Sequence, residues 1–311
     1  MKYNSRVKLI VDNKLWKSGP NLGFLTPTAY FCESENRQFV YGAVRDNSGR
    51  AVIRGVELLE NLESLPFRDF SLDRRGSEMF DQDGTILGHV NKVGDVVRLY
   101  YVGFRRPQNV KFEAFSGLAE SYDGGKTFIF RRKIFDSNFF KFLNGSKPSI
   151  VACHWNNLDF YGNGMALIAI GSDWLEIGER KFPKYSSYLI NVENFQCVNL
   201  VCALPQSSDI YRLGRPRFIF GNDMRIAVAT GGKSNGDYRP YFFEFTGTAF
   251  IPRLDYSFPI QPGSSALYKQ QVSYPEFIKF PNSSNGLFLF NGDNMGELGC
   301  FAFQTDCHHT F

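Results

Sequence analysis

The chain has 311 residues, 43% of them hydrophobic and 16% aromatic, with 32 phenylalanines. This supplies a large core at a length normal for a repetitive β-fold. The net charge of +4, with no Lys/Arg run, argues against a nucleic-acid binder but still allows positive charge to gather in one pocket. Long alanine- and leucine-rich helical segments are missing, and no stretch approaches a transmembrane span.

The opening, MKYNSRVKLIVDNK, lacks the apolar core of a secretion signal, which predicts a cytoplasmic protein. Within it, Val7 to Val11 reads as a strand. Thr26-Pro27 opens a short apolar strand, and FVYGAVRDNSGRAVIRGVEL from Phe39 supplies a strand, a polar loop and a second strand. In the next segment Asp83-Gly84 precedes TILGHV, followed by RLYYVGFRRPQNVKFEAFSGLAES from Arg98. The plan recurs at Lys147-Pro148 with the strands from Met165, and at Arg215-Pro216 with those from Arg225. It ends at Tyr274-Pro275 with LFLFNGDNMGELGCFAF from Leu287.

Segment starts lie roughly 60 residues apart, a spacing suited to one four-stranded blade with insertions. A proline at a strand's first residue costs no ladder hydrogen bond, so each unit begins with a short inner strand near a central axis. The last segment ends at Phe303, one strand short, and Val7 to Val11 would complete it and remove an exposed edge. The predicted fold is all-β: a five-bladed β-propeller forming a single domain over residues 1–311, its ring closed by the N-terminal strand. The six cysteines form no CxxC pair and are expected as free, mostly buried thiols. Cys307-His308-His309 reads as a frayed tail.

Ser121 to Phe128, SYDGGKTF, joins two strand-like runs through Asp-Gly-Gly, where glycine reaches positive φ without steric cost. It matches S-x-D-x-G-x-T-F throughout and resembles the Asp-box of sialidases and related propellers, which implies a structural staple rather than chemistry at Asp123.

Ligand chemistry is expected at the inner-strand starts and the loops after the second strands. The candidates there are Arg45, Asp46, Asp81, His89, Arg105, Lys147, Arg215, Arg239, Tyr274, Glu276, Asn291 and Asn294. Period-two alternation places Arg215 with Arg217 on one face, and Tyr274 with Glu276. His89 has two readings: support for a divalent cation on the axis, or a buried structural histidine. No other cofactor is implied.

In order, VRDNSGRAVI, MFDQDG, RLYYVGF, SGLAESYDGGKTF, LGRPRFIF, YPEFIKF and LFLFNGDNMGELG resemble bacterial proteins encoded in surface-polysaccharide gene clusters. These are similar to the propellers of the glycoside hydrolase family 43, 32 and 130 type. The resemblance covers most of the chain and implies a sugar-handling central pocket, with Asp46 and Asp81 where catalytic acids are expected. The chain departs from the pattern twice. Ile210 stands where the pattern has Glu five residues before Arg215, with Asp209 beside it, and Gln270 stands for Glu four residues before Tyr274. Glutamine donates no acidic proton, which argues against ordinary two-carboxylate hydrolysis.

What remains is rich in cations: Arg45, His89, Arg105, Lys147, Arg215 and Arg239, the arginines suited to bidentate oxyanion contacts. The leading expectation is therefore glycosyl transfer from a phosphate-activated sugar to a glycan acceptor, in cell-surface polysaccharide biosynthesis. The alternatives are a glycoside hydrolase using Asp46 and Asp81, with Glu276 in reserve, and a non-catalytic glycan-binding propeller. The structural reading of the arginines is salt bridges to Asp46, Asp81 and Asp83 between blades.

Overall fold

The computed structural model of the protein describes residues 7–12, 22–46, 48–66, 70–75, 80–108, 110, 112–134, 152–158, 165–177, 179–193, 197–205, 212–220, 225–232, 238–279 and 285–306. Its regular structure is almost entirely strand. A short strand, β1 (Lys8–Val11), precedes an antiparallel group of β2 (Leu22–Cys32), β3 (Arg37–Arg45), β4 (Ala51–Leu58) and β5 (Ser64–Pro66). After β6 (Ser71–Asp73) comes a second group, β7 (Gly84–Val93), β8 (Val96–Arg105), β9 (Glu113–Ser121) and β10 (Thr127–Ile134). A third comprises β11 (Ala152–Leu158), β12 (Met165–Ile177), β13 (Arg180–Glu193) and β14 (Cys197–Ala203). Then follow β15 (Arg212–Phe220), β16 (Arg225–Gly232), β17 (Tyr238–Phe245) and β18 (Phe250–Pro252). The last strands are β19 (Ser273–Lys279), β20 (Asn285–Asn291) and β21 (Cys300–Asp306), with a one-turn helix, α1 (Asp293–Gly296), between the final two.

The N-terminal strand lies where the sequence puts it. β1 pairs antiparallel with β21, Lys8 opposite Ala302, completing a sheet of order β1-β21-β20-β19. β15 to β18 form a separate sheet. The three earlier groups are joined into one larger sheet by single parallel contacts, Ala51 with Gly84 and Ala114 with Ala152. The first strands of the groups touch in a cycle: β2 meets β7, β7 meets β11, β11 meets β15, β15 meets β19, and β19 returns to β2. Packing, not a continuous hydrogen-bond ladder, closes this cycle. The all-β architecture is that of a β-propeller.

The abundant aromatics fill the seams between neighbouring groups. Phe39, Tyr41, Phe80, Leu87, Tyr101 and Phe128 form one seam. Phe258, Phe288, Phe290, Phe301 and Phe303 form another, with Phe288 and Phe303 stacked 5.3 Å apart. Each such ring contributes about 1.5–3 kcal/mol by leaving water. Small residues make room: a Cβ on Gly103 would stand 2.4 Å from the Asp81 Cβ and 2.6 Å from the Phe80 ring.

SYDGGKTF forms a tight turn between β9 and β10. Asp123 Oδ1 accepts from the Ser121 hydroxyl at 2.6 Å and from the backbone N–H of Lys126 and Thr127, while Oδ2 accepts from the Thr127 hydroxyl at 2.6 Å. Burial opposes the charge, but these donors hold Asp123 below the ordinary carboxylate range. Gly124 and Gly125 take φ of 76° and 96°, and the Gly125 carbonyl accepts from the Tyr41 hydroxyl of β3 at 2.8 Å. The turn thus staples the first group to the second. Among the described residues, Cys32, Cys153, Cys202 and Cys300 are free thiols.

Candidate active site

Three first strands carry X-Pro-Z: Thr26-Pro27-Thr28, Arg215-Pro216-Arg217 and Tyr274-Pro275-Glu276, with the prolines inside the strands at interruptions of the ladder rather than at their first residues as expected. In all three, X lies in the left-handed region, with φ of 53° at Thr26, 50° at Arg215 and 52° at Tyr274. Side-chain-bearing residues hold that conformation at a cost. Pairing with the second strand slips at the same points, between Leu25 and Thr28, Gly214 and Arg217, and Ser273 and Glu276. β7 has no proline but slips between Leu87 and His89. Bulges of this kind re-aim side chains, and here they gather polar groups from four strands.

Arg217 is the centre of the gathering. Its Nε donates to Glu276 Oε2 at 2.8 Å, and its Nη2 donates to the Gly88 carbonyl at 2.7 Å and to Thr28 Oγ1 at 3.2 Å. One guanidinium therefore ties β15 to β19, β7 and β2. Beside it, Arg215 Nη2 donates to the Leu87 carbonyl, and its Cζ lies 5.5 Å from the centre of the Tyr274 ring. The Tyr274 N–H donates to Thr230 Oγ1. The buried Asn291 amide fixes the entry of β2, accepting from the Thr26 N–H at 2.9 Å and donating to the carbonyls of Phe24 and Gly299.

Burial governs the protonation of this cluster. It pushes the Glu276 carboxyl above the usual range, against the pull of Arg217. It lowers Arg215 to about 9, helped by the charge on Arg217, and lowers Arg217 as well. Burial and then Arg217 lower His89 to about 3, so its imidazole is neutral at physiological pH. Among the described residues, half of the buried polar side-chain atoms lacking a partner lie at the bulges of these strands: Thr26 Oγ1, His89 Nδ1, Arg215 Nη1, Arg217 Nη1 and Ser273 Oγ.

The structure thus draws Arg215, Tyr274 and Glu276 together, with His89 electrostatically coupled to Arg217 and Asn291 bracing Thr26. Other candidates lie in different settings. Asp46 closes the β3–β4 hairpin, its Oδ1 accepting from the hydroxyl and N–H of Ser48 and from the Arg50 N–H. The Ser48 hydroxyl leads in holding it below the usual carboxylate range, so it is ionised. Asp81 is 2% exposed, packs beneath Gly103, accepts from the Tyr101 hydroxyl at 3.0 Å and pairs with Arg74 at 3.4 Å. Arg45 ends β3, half-buried. Arg105 pairs with Glu113 on the surface of the β8–β9 hairpin. Arg239 is exposed on β17 opposite Gly231. Asn294 belongs to α1, and Lys147 lies outside the described residues.

The expected salt bridges to Asp46, Asp81 and Asp83 give way to a different arrangement for the axial pair: Arg215 and Arg217 use backbone carbonyls, Thr28 and Glu276. No group of three or more His, Cys, Asp or Glu side chains converges as a metal site among the described residues, and a cation beside His89 would face the Arg217 charge. Sequence reasoning missed Thr28, Ser273, Thr230 and the carbonyls of Leu87 and Gly88. Thr26-Pro27-Thr28 carried a usable signal, since it repeats the X-Pro-Z pattern of the two charged strands.

Comparison with protein-family models and with curated proteins finds no match. Solved structures match over nearly the whole chain. A thermostable family-43 glycoside hydrolase is 11% identical, with 90% of this chain and 88% of the other covered at a TM-score of 0.63. Bacillus subtilis levansucrase is 10% identical, with 97% and 87% covered at 0.61. An exo-1,5-alpha-L-arabinanase from a bovine ruminal metagenomic library is 10% identical, with 92% and 93% covered at 0.56. The fold is the one shared by these β-propeller glycoside hydrolases.

Proposed function

We propose that the protein is a glycan-active enzyme that cleaves glycosidic bonds at the propeller axis, with Glu276 as the proton donor. The five groups of strands are its blades, and residues 1–311 its single domain. The cyclic contact order of β2, β7, β11, β15 and β19 supports that count. The observation that carries the function is the setting of Glu276, a carboxyl lifted by burial and placed where strained inner strands converge. A general acid needs its proton near neutral pH, and burial favours that form. Hydrolysis also needs an ionised carboxylate as base or nucleophile. Asp46, which is ionised, is assigned that role.

The test is a screen of oligosaccharides and aryl glycosides for released reducing sugar, repeated with Glu276→Gln and Asp46→Asn. Loss of turnover in Glu276→Gln with substrate binding retained supports the assignment. Turnover indifferent to Glu276→Gln overturns it. Binding without any turnover instead supports the glycan-binding alternative.

One observation favours a second reading, glycosyl transfer from a phosphate-activated sugar. Two buried guanidiniums beside the candidate acid suit a phosphate better than a neutral sugar. The family resemblance connects such an activity to cell-surface polysaccharide assembly. Product formation that requires a sugar phosphate or nucleotide sugar would move the assignment to transfer.

A further inference from the structure

The charges at the axis do not balance among the described residues. Arg215 and Arg217 are 8% and 2% exposed, and Glu276 is paired with Arg217. His89 supplies no charge in its neutral form. Two guanidiniums against at most one carboxylate leave at least one buried positive charge in excess, a costly arrangement in a low-dielectric setting. The donors do not balance either. Arg217 uses Nε and Nη2, and Arg215 uses Nη2, while both Nη1 groups lack a partner. The two guanidiniums bind the carbonyls of consecutive residues, Leu87 and Gly88, so they stand side by side. His89 Nδ1, also without a partner, follows directly in the same strand.

An ion carrying one negative charge and several acceptor oxygens supplies both missing quantities. We propose that this site binds an oxyanion, the carboxylate of an acidic sugar or the phosphate of a sugar phosphate, between the Nη1 groups of Arg215 and Arg217. The inference rests on the axial cluster of the proposed function and names its substrate class. Tyr274 covers the site: its ring lies over the Arg215 guanidinium and is half-exposed where Arg215 is buried. Its left-handed φ of 52° is a conformation held at a cost. Displacement of this ring admits the anion and lets an aromatic face pack on the sugar.

The experiment is calorimetry and thermal unfolding of the full chain with inorganic phosphate, glucuronate or glucose at constant ionic strength. Wild type is expected to bind at least one anion, raising the melting temperature by about 2 °C or more near saturation, and to ignore glucose. Glucuronate alone identifies the acidic sugar, and phosphate alone the sugar phosphate. Arg215→Met should abolish the shift yet melt no lower than wild type, because it removes an under-compensated buried charge. Tyr274→Ala should bind the anion at least as well. Overturning results are a shift that survives Arg215→Met, no binding of either anion, or equal stabilisation by glucose. Because the readout is binding, it stays separate from turnover: anion binding without Glu276-dependent cleavage sinks the catalytic reading and leaves this one standing.

Discussion

Arg217 and Glu276, 59 positions apart, meet at 2.8 Å in the centre of the molecule, each two residues after a strained X-Pro residue. Neither group would be buried singly at reasonable cost. Paired, and with Gly88 and Thr28 completing the guanidinium's bonds, they lock four inner strands into one unit. The pair is therefore both a structural bolt and the place where the candidate acid is exposed to the least water.

Removing the carboxylate leaves both guanidiniums buried without a counter-charge among the described residues. Glu276→Met is expected to cost about 3–5 kcal/mol of stability, whereas Glu276→Met combined with Arg217→Met recovers part of the loss. Urea unfolding of the two singles and the double gives the coupling energy directly. Additive losses would show that the pair is not the bolt described here.

His89 makes stability depend on pH. Its pKa falls from 6.5 to about 3 on folding, so the unfolded chain binds the proton more readily. Stability from this group is complete above pH 6.5 and is lost as pH falls from there toward 3. In the middle of that window the loss is at most about 1.4 kcal/mol per pH unit. Between pH 7 and 5, His89→Gln should lose markedly less stability than wild type in matched denaturant titrations. Parallel curves would show that His89 is not buried neutral.

The turn at Asp123 is structural. Asp123→Ala removes four hydrogen bonds, two of them to backbone N–H groups, and should lower stability by about 1–3 kcal/mol without changing KM or kcat. A change in kcat at unchanged melting temperature would contradict this. Gly103→Ala, which forces a Cβ against Asp81 and Phe80, should cost about 1–3 kcal/mol, read by the same melts.

The architecture was legible because it repeats. X-Pro marked three of the inner strands, though its prolines sit at bulges inside them rather than at their first residues, Asp-Gly-Gly marked one outer turn, and the unpartnered last segment called for the N-terminal strand. Arg215, Tyr274 and Glu276 were legible as period-two neighbours of prolines. Asp46 and Asp81 look the same as catalytic carboxylates in sequence, and only their partners tell them apart: a hairpin's own N–H groups for Asp46, Tyr101 and Arg74 for Asp81. Arg105 reads as an axial cation until its cross-strand neighbour Glu113 is placed opposite it. The backbone carbonyls of Leu87 and Gly88 leave no trace in residue identity, so the actual partners of the central arginines emerged only from the fold.

The measurement closest to the central claim is the pH–rate profile of wild type and Glu276→Gln on an oligosaccharide that the protein cleaves. The account predicts a wild-type kcat that falls as pH rises through a pKa above the ordinary glutamate range, and a variant that loses about two to four orders of magnitude in rate with that limb gone. A variant that keeps both its rate and its alkaline limb would place the proton donor elsewhere and reduce Glu276 to the structural partner of Arg217.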